Sequence, residues 1–276
     1  LIASQEGHAE VVSMLLAKRK IKVNAKKRDG ATPLYIASQK GHAEVVAMLL
    51  AKQGVNVNQP TNDGATPLLI ASQEGHTETV SILLAKQGVN VNQATKGGFT
   101  PLYLASLNGR AEVVTMLLAK QGVDVNQATN DGATPLFIAS EKGHGEVVSM
   151  LLATQDVDVN QARDSGTTPL YIASEKGHGE VVSMLLATQD VDVNQARDSG
   201  TTPLYIASWH GHAEVVASLL AKEGIDVNQA RNNGVTPLFV ASEKGHAELV
   251  SKLLAKQGIK VNQAEEDGAT PLYIAS

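Results

Sequence analysis

The chain has 276 residues, 43% of them hydrophobic and only 3% aromatic, with a net charge of -5 and no cysteine. The missing cysteines exclude disulfides, thiolate zinc sites and thiol nucleophiles, and the negative charge argues against wrapping nucleic acid, which draws on a surplus of Lys and Arg. The longest apolar run, over residues 45–51, is far shorter than the roughly 20 residues of a membrane helix. We therefore predict no nucleic-acid partner and no direct membrane insertion.

The first charged feature lies between Lys18 and Arg28, where the stretch KRKIKVNAKKR holds seven basic residues. It gives the first thirty positions a net charge of about +4, against about -9 for the rest of the chain. One interpretation is a solvated end of the molecule, and the alternative is a patch for nuclear import or for an acidic partner. We predict an intracellular, cytoplasmic protein, with the nucleus as the alternative compartment.

A pair of helices is predicted after this stretch. Thr32 and Pro33 supply a hydroxyl N-cap and a fixed proline dihedral, which together start a helix. Gly41 ends that helix, because glycine adopts the left-handed conformation that a helix terminus favours. His42 marks the corner, and a second helix with Val and Leu pairs on one face is predicted over residues 43–52.

The segment after the second helix alternates apolar and polar residues. The letters VNVNQ cover residues 55–59, and the turn signal Asn62-Asp63-Gly64 follows them. This pattern predicts a hairpin finger. One helix pair with its finger cannot bury its own apolar stripe, so neighbouring units must cover it.

The unit repeats with a constant period. The tripeptide TPL recurs every 34 residues, beginning at Thr32, Thr66, Thr100, Thr134, Thr168, Thr202, Thr236 and Thr270. Such regularity is typical of stacked repeats, and the predicted fold class is an all-α repeat solenoid. We expect a single array over residues 1–276 with about eight helix pairs and both terminal repeats truncated, and therefore a segment of a longer protein.

The letters TPLYIASQKGHAEVVAMLL, followed by VNVNQ and DGA, resemble the ankyrin repeat, and the resemblance covers the whole chain. It implies an ankyrin stack of antiparallel helix pairs with β-hairpin or loop fingers, in which finger tips and first helices form a concave surface that grips partner proteins. Because such arrays generally have no catalytic activity of their own, the resemblance implies a binding protein rather than an enzyme. We predict no cofactor.

Two departures from the family pattern stand out. The unit is one residue longer than usual, with the extra residue between the Leu pair and the Val-Asn pair, which bears on the curvature. The second departure is at the usual His of T-P-L-H, which is aromatic or Leu here. We interpret this position as packing, with tyrosine hydroxyls at the groove edge as the alternative. The residues are Tyr35, Leu69, Tyr103, Phe137, Tyr171, Tyr205, Phe239 and Tyr273.

The five methionines share one place in the second helix and are interpreted as core filling.

Neither metal binding nor catalysis fits the periodic pattern. Equivalent atoms of adjacent repeats lie roughly 10 Å apart, whereas zinc ligands each lie about 2 Å from one ion. Catalysis needs dissimilar groups that converge, and a periodic chain lines up identical ones. We therefore predict no metal or catalytic residue, and we assign corner hydrogen bonds to the Gly-His histidines, His8, His42, His76, His144, His178, His212 and His246.

Specific recognition must lie where the units differ. Trp209, the only tryptophan, and His210 stand where other units carry Gln-Glu, Gln-Lys or Glu-Lys, and the fourth unit carries Leu107 and Asn108 there. Phe99 is a further outlier at the finger tip TKGGF. By resemblance to the family these residues face the groove, and an exposed tryptophan is a frequent hot spot of binding. The alternative is an isolated surface aromatic.

Repeated Glu-Lys pairs are interpreted first as a solvated helix face. Glu175 and Lys176, and Glu243 and Lys244, also belong to the predicted partner-binding surface. The predicted function is a monomeric scaffold that binds partner proteins through the concave face. Two alternatives stay open: a targeting or regulatory arm of a larger protein, whose enzymatic or membrane domain lies outside this segment, and a passive elastic spacer.

Overall fold

A computed structural model describes residues 2–276, in which helices are the only regular secondary structure. The chain divides into two compact units, one up to Asn130 and one from Asp131 to Ser276. The first unit contains α1 (Ile2–Gln5), α2 (Ala9–Leu16), α3 (Pro33–Lys40), α4 (Ala43–Ala51), α5 (Pro67–Glu74), α6 (Thr77–Ala85), α7 (Pro101–Leu107) and α8 (Ala111–Leu118). The second contains α9 (Pro135–Lys142), α10 (Gly145–Leu152), α11 (Pro169–Lys176), α12 (Gly179–Ala187), α13 (Pro203–His210), α14 (Ala213–Ala221), α15 (Pro237–Glu243), α16 (Ala247–Leu254) and α17 (Pro271–Ile274).

Each unit is a stack of helix pairs in two layers. Within a unit, each first helix packs on the first helix of the next pair and each second helix on the next second helix. In α12, Val181, Val182 and Leu185 are fully buried between these layers. The predicted all-α repeat solenoid is confirmed, whereas the single array over residues 1–276 stays a prediction.

The helix ends follow the predicted local signals. In α11 the Thr168 hydroxyl accepts a hydrogen bond of 3.1 Å from the Tyr171 amide, and Pro169 occupies the first turn. Gly177 ends the helix with φ of +75°, in the left-handed region that glycine tolerates. Because these signals involve residues at most four positions apart, sequence alone suffices to predict them.

The finger prediction needs one correction, because the described residues contain no strand. The Asp192 carboxylate accepts a hydrogen bond of 3.0 Å from the main-chain N–H of Asn194. This bond bends the chain where the alternating pattern predicted a hairpin. At the finger tip, the Arg197 amide donates to the Thr201 carbonyl at 3.0 Å and the Gly200 amide donates to the Arg197 carbonyl at 2.8 Å. The finger is therefore a succession of tight turns.

Five of the corner histidines form the predicted hydrogen bonds, with acceptors in the preceding repeat: His42, His76, His178, His212 and His246. Nε2 of His212 lies 3.0 Å from the Glu175 carbonyl oxygen, 37 positions earlier in the chain. His178 contacts the Glu141 carbonyl in the same way, at 3.0 Å. In the fourth repeat Arg110 replaces the histidine, and its Nε donates across 3.4 Å to the equivalent carbonyl. The corner residue thus joins adjacent helix pairs.

Asparagine makes a second connection between repeats. The Asn194 side chain donates from Nδ2 to the Gly224 carbonyl at 2.7 Å, and its Oδ1 accepts from the Asp226 amide at 2.9 Å. Asn228 repeats both bonds one unit later, to Gly258 and Lys260. Each such side chain satisfies two main-chain groups of the next loop.

The methionine prediction is wrong in part. Met184 is half-buried and Met14 is 63% exposed, whereas the neighbouring Leu185 is fully buried. The methionine position lies about 100° around the helix from Leu185, so it lies at the edge of the interface between second helices rather than inside it. Val and Leu therefore fill the fully buried core, and the half-buried methionines line its edge.

A lysine joins the second helices of adjacent repeats. Nζ of Lys222 donates to the Leu186 carbonyl at 2.6 Å and to the Thr188 carbonyl at 3.2 Å, at the carboxyl end of α12. A cation at this end of a helix also interacts favourably with the helix dipole. We expect Lys222→Met to lower the free energy of unfolding by about 1 kcal/mol, because these charge-assisted bonds are lost on a partly solvated surface.

Urea unfolding followed by circular dichroism measures this effect. Lys176→Met is the matched control, because Lys176 is exposed and the same charge is removed; a change within about 0.5 kcal/mol is expected. Equal losses for the two variants would contradict the role given to the Lys222 bonds.

Candidate protein-interaction surface

Trp209 lies on the last turn of α13, where the helix leaves its side chain 36% exposed. Tyr205 lies four residues earlier on the same helix face, and the two rings stack with centroids 6.3 Å apart and planes inclined by 29°. Tyr205 itself is buried. A buried ring therefore supports an exposed one and limits the orientations that Trp209 adopts.

The next repeat supplies a cation to the Trp209 ring. Nζ of Lys244, directly after α15, lies 4.1 Å from the centre of the Trp209 ring, within the range of a cation–π interaction. Glu243 lies 3.7 Å from the same ammonium group. The candidate residues Trp209, Glu243 and Lys244 are thus brought together, because α13 and α15 pack side by side.

A row of arginines extends this surface along the fingers of the second unit. Arg231 lies over the Tyr205 ring at 5.5 Å from its centre, and its Nη1 donates to the tyrosine hydroxyl at 3.5 Å. Arg197 has the same relation to Tyr171, at 5.3 Å and 3.5 Å. Arg163 lies over the third ring of the row, Phe137, at 5.8 Å. In these three fingers a guanidinium group therefore covers the aromatic residue on the first helix of the helix pair that comes directly before the finger.

The charges around these arginines are not equally compensated. Arg163 forms an ion pair with Asp131. Within the described part of the chain, Arg197 and Arg231 have no ion pair with a carboxylate, and the Nε of each is buried without a hydrogen-bond partner. Burial raises the pKa of Tyr171, against the opposing effect of the Arg197 bond and charge, so its hydroxyl stays protonated at neutral pH.

The remaining candidates of the second unit lie around this cluster. His210 is exposed and its ring lies 5.7 Å from that of His212, in a stacked arrangement. Glu175 is half-buried and Lys176 is exposed, at the same turn of the preceding first helix. The main-chain carbonyl of Glu175 is the acceptor for His212, so its backbone belongs to the structural connection between repeats.

The candidates of the first unit form a separate, smaller surface. Phe99 is 39% exposed and its ring lies 5.3 Å from that of Tyr103. Leu107 ends α7 half-buried. The exposed Asn108 donates from Nδ2 to the Leu104 carbonyl at 2.8 Å, so its amide closes its own helix. Phe99 is consequently the exposed aromatic anchor of this unit.

Sequence reasoning missed the arginine row, although a signal for it was present. Arg163, Arg197 and Arg231 recur with the 34-residue period in three consecutive fingers. The other fingers carry Lys, Thr or Glu at this position, so the row distinguishes one part of the chain from the rest. The contact between each arginine and the ring beneath it could not be predicted from the spacing of residues in the sequence, because arginine and ring are 26 positions apart.

Two further sequence predictions concern charge and metals. The seven basic residues between Lys18 and Arg28 are all exposed, and their role in import or partner binding stays a prediction. Across residues 2–276, the structure contains no group of three His, Asp or Glu side chains placed to hold a metal ion. Over the same residues, no helix has the length and apolar character to cross a membrane.

Stacked antiparallel helix pairs with turn fingers define an all-α repeat protein. A family model described as ankyrin repeats (3 copies) matches residues 1–61, 53–129, 93–163, 121–196, 153–231 and 223–276, and the chain belongs to this family. No curated protein matched the sequence. Ankyrin repeats are generally protein–protein interaction modules and typically have no enzymatic activity.

Proposed function

We propose that this chain is a non-enzymatic scaffold that binds partner proteins, as a monomer, through the face on which the first helices end and the finger tips lie. The resemblance to the family predicts this face to be concave. The observation that carries the proposal is the exposed Trp209 ring, supported by Tyr205 and covered on one side by the Lys244 ammonium group. Phe99 is proposed as a second contact, in the first unit.

The physical argument rests on the exposed tryptophan. Trp is among the residues most enriched in binding hot spots, because it buries a large area and loses little conformational entropy on binding. Tyr205 already restricts the Trp209 ring, so less entropy is lost when a partner covers it. Glu243 and the neighbouring His210 supply a polar rim of the kind that surrounds such anchors.

A pair of photo-crosslinking positions tests the proposal. A photoreactive amino acid in place of His210 lies beside Trp209, and the same group in place of Ser183 lies on the exposed face of α12. We expect the first position to capture proteins that the second does not. Equal capture at both positions would contradict binding through the Trp209 face.

Truncation of the anchor gives the quantitative prediction. Trp209→Ala should weaken binding of a captured partner by roughly tenfold or more, since hot-spot side chains contribute on the order of 2 kcal/mol. Ser183→Ala is the control, and it should leave the affinity unchanged. Isothermal titration calorimetry with the captured protein measures the affinity of both variants, and circular dichroism verifies that each variant folds.

A further inference from the structure

We propose that the partner segment bound at this surface is acidic, with carboxylates that pair with Arg197 and Arg231 around an apolar side chain that packs on Trp209. The inference depends on the proposed function and names the chemistry of the partner. Its starting point is the uneven charge compensation of the arginine row: two neighbouring guanidinium groups have no carboxylate partner within the described part of the chain.

Arg197 and Arg231 are preorganised to bind such a partner. Each guanidinium lies over a buried tyrosine ring and contacts its hydroxyl at 3.5 Å, so these contacts restrict its position before a ligand arrives. Each side chain is half-buried, so part of it remains open to solvent. A guanidinium group in this state binds carboxylates strongly, because its donors match the two oxygens and its hydration is weak.

Trp209 and Lys244 place the apolar contact next to these charges. Arg231 and Trp209 both lie against the Tyr205 ring. One short partner segment can therefore supply both the carboxylate that binds Arg231 and the apolar side chain that packs on Trp209. Lys244 lies over the Trp209 ring, and Glu243 is its ion-pair partner. Charge complementarity therefore favours a segment whose carboxylates lie opposite the two arginines that have no ion pair.

A single-stranded nucleic acid is the main competing ligand, because aromatic rings and arginines also bind bases and phosphates. The surrounding acidic residues disfavour it. Glu175 and Glu243 lie on the adjacent helix ends and Asp198 follows Arg197 directly in the chain, and the net charge of the chain is -5. A continuous phosphate backbone would meet these carboxylates, whereas a peptide can place neutral residues opposite them.

Selection from a phage-displayed library of random peptides tests the proposal. The full chain is the bait, and Trp209→Ala serves for counter-selection. We expect the recovered peptides to be enriched in Asp and Glu around an aromatic or aliphatic residue. Recovery of neutral or basic peptides that depend on Trp209 would overturn this inference and leave the proposed function intact, whereas the crosslinking pair above tests the proposed function by itself.

Three matched arginine variants identify the charges involved. Arg231→Gln and Arg197→Gln should each weaken binding of a synthetic copy of the recovered peptide by roughly tenfold, because a charge-assisted hydrogen bond is lost. Arg163→Gln should change it little, since Asp131 already pairs with that guanidinium. Trp209 emission reports the titration, as this is the only tryptophan. Equal effects of all three variants, or stronger binding of a poly-thymidine oligonucleotide than of the peptide, would overturn the proposal.

Discussion

Replacement of Gly177 by alanine is expected to lower the free energy of unfolding by about 3 kcal/mol, from backbone strain and overpacking together. Gly177 has φ of +75°, where a side chain is strained. A Cβ atom there would lie 2.8 Å from Cε1 and Nδ1 of His212, closer than real contacts allow. The His212 ring has little freedom to move, because its Nε2 is bonded to the Glu175 carbonyl.

A matched glycine separates the two causes. Gly224 has φ of +80°, and a Cβ atom there would meet nothing within 4 Å. Gly224→Ala should therefore cost about 1 kcal/mol, the strain alone. Adding His212→Ala to Gly177→Ala removes the ring that the Cβ would meet, and in this background the glycine substitution should cost no more than it does at Gly224.

Urea unfolding, followed by circular dichroism and by Trp209 emission, measures these variants. Both probes are needed, because repeat proteins lose their units in steps when an interface between repeats is weakened. If Gly177→Ala and Gly224→Ala cost the same, the contact with the next repeat is not what requires glycine at the corner.

Asn194→Ala should give the second largest loss, about 2 kcal/mol, since it removes two hydrogen bonds to the next repeat. The variant leaves the Gly224 carbonyl and the Asp226 amide without their protein partner. Stability of a stack depends on contacts between neighbouring units, so the loss should also separate the transitions of the repeats on either side.

Asn232→Ala is the control for this substitution. Its side chain makes one hydrogen bond between repeats, from Nδ2 to the Asp198 carbonyl at 3.0 Å, and the adjacent main-chain bond from the Asn232 amide to Ser199 remains. We expect a loss below about 1 kcal/mol. A larger loss at Asn232 than at Asn194 would contradict the importance given to the paired bonds, again by urea unfolding.

The exposed aromatic anchors could be predicted in part from the sequence. Trp209 and Phe99 were selected because they differ from the other repeats, and both are exposed in the structure. Their contact with a partner stays a prediction. Asn108 differs from the other repeats in the same way, and its side-chain amide donates to its own helix, because an amide at a helix end reaches the carbonyls that lack partners within the helix. At Trp209, Phe99 and Asn108 the difference between repeats coincides with exposure, and the part of these residues in binding stays a prediction.

The repeat period, the helix starts at Thr-Pro and the helix ends at Gly could be predicted from the amino-acid sequence alone. Each depends on the conformation of a few consecutive residues, such as the hydroxyl of Thr168 and the amide of Tyr171. The contacts between distant residues became visible only in the folded chain: His212 with Glu175 and Asn194 with Gly224 join adjacent repeats, and Arg231 meets Tyr205 within one repeat. These partners are 26 to 37 positions apart, and the folding of each repeat and its packing on the next bring them within bonding distance.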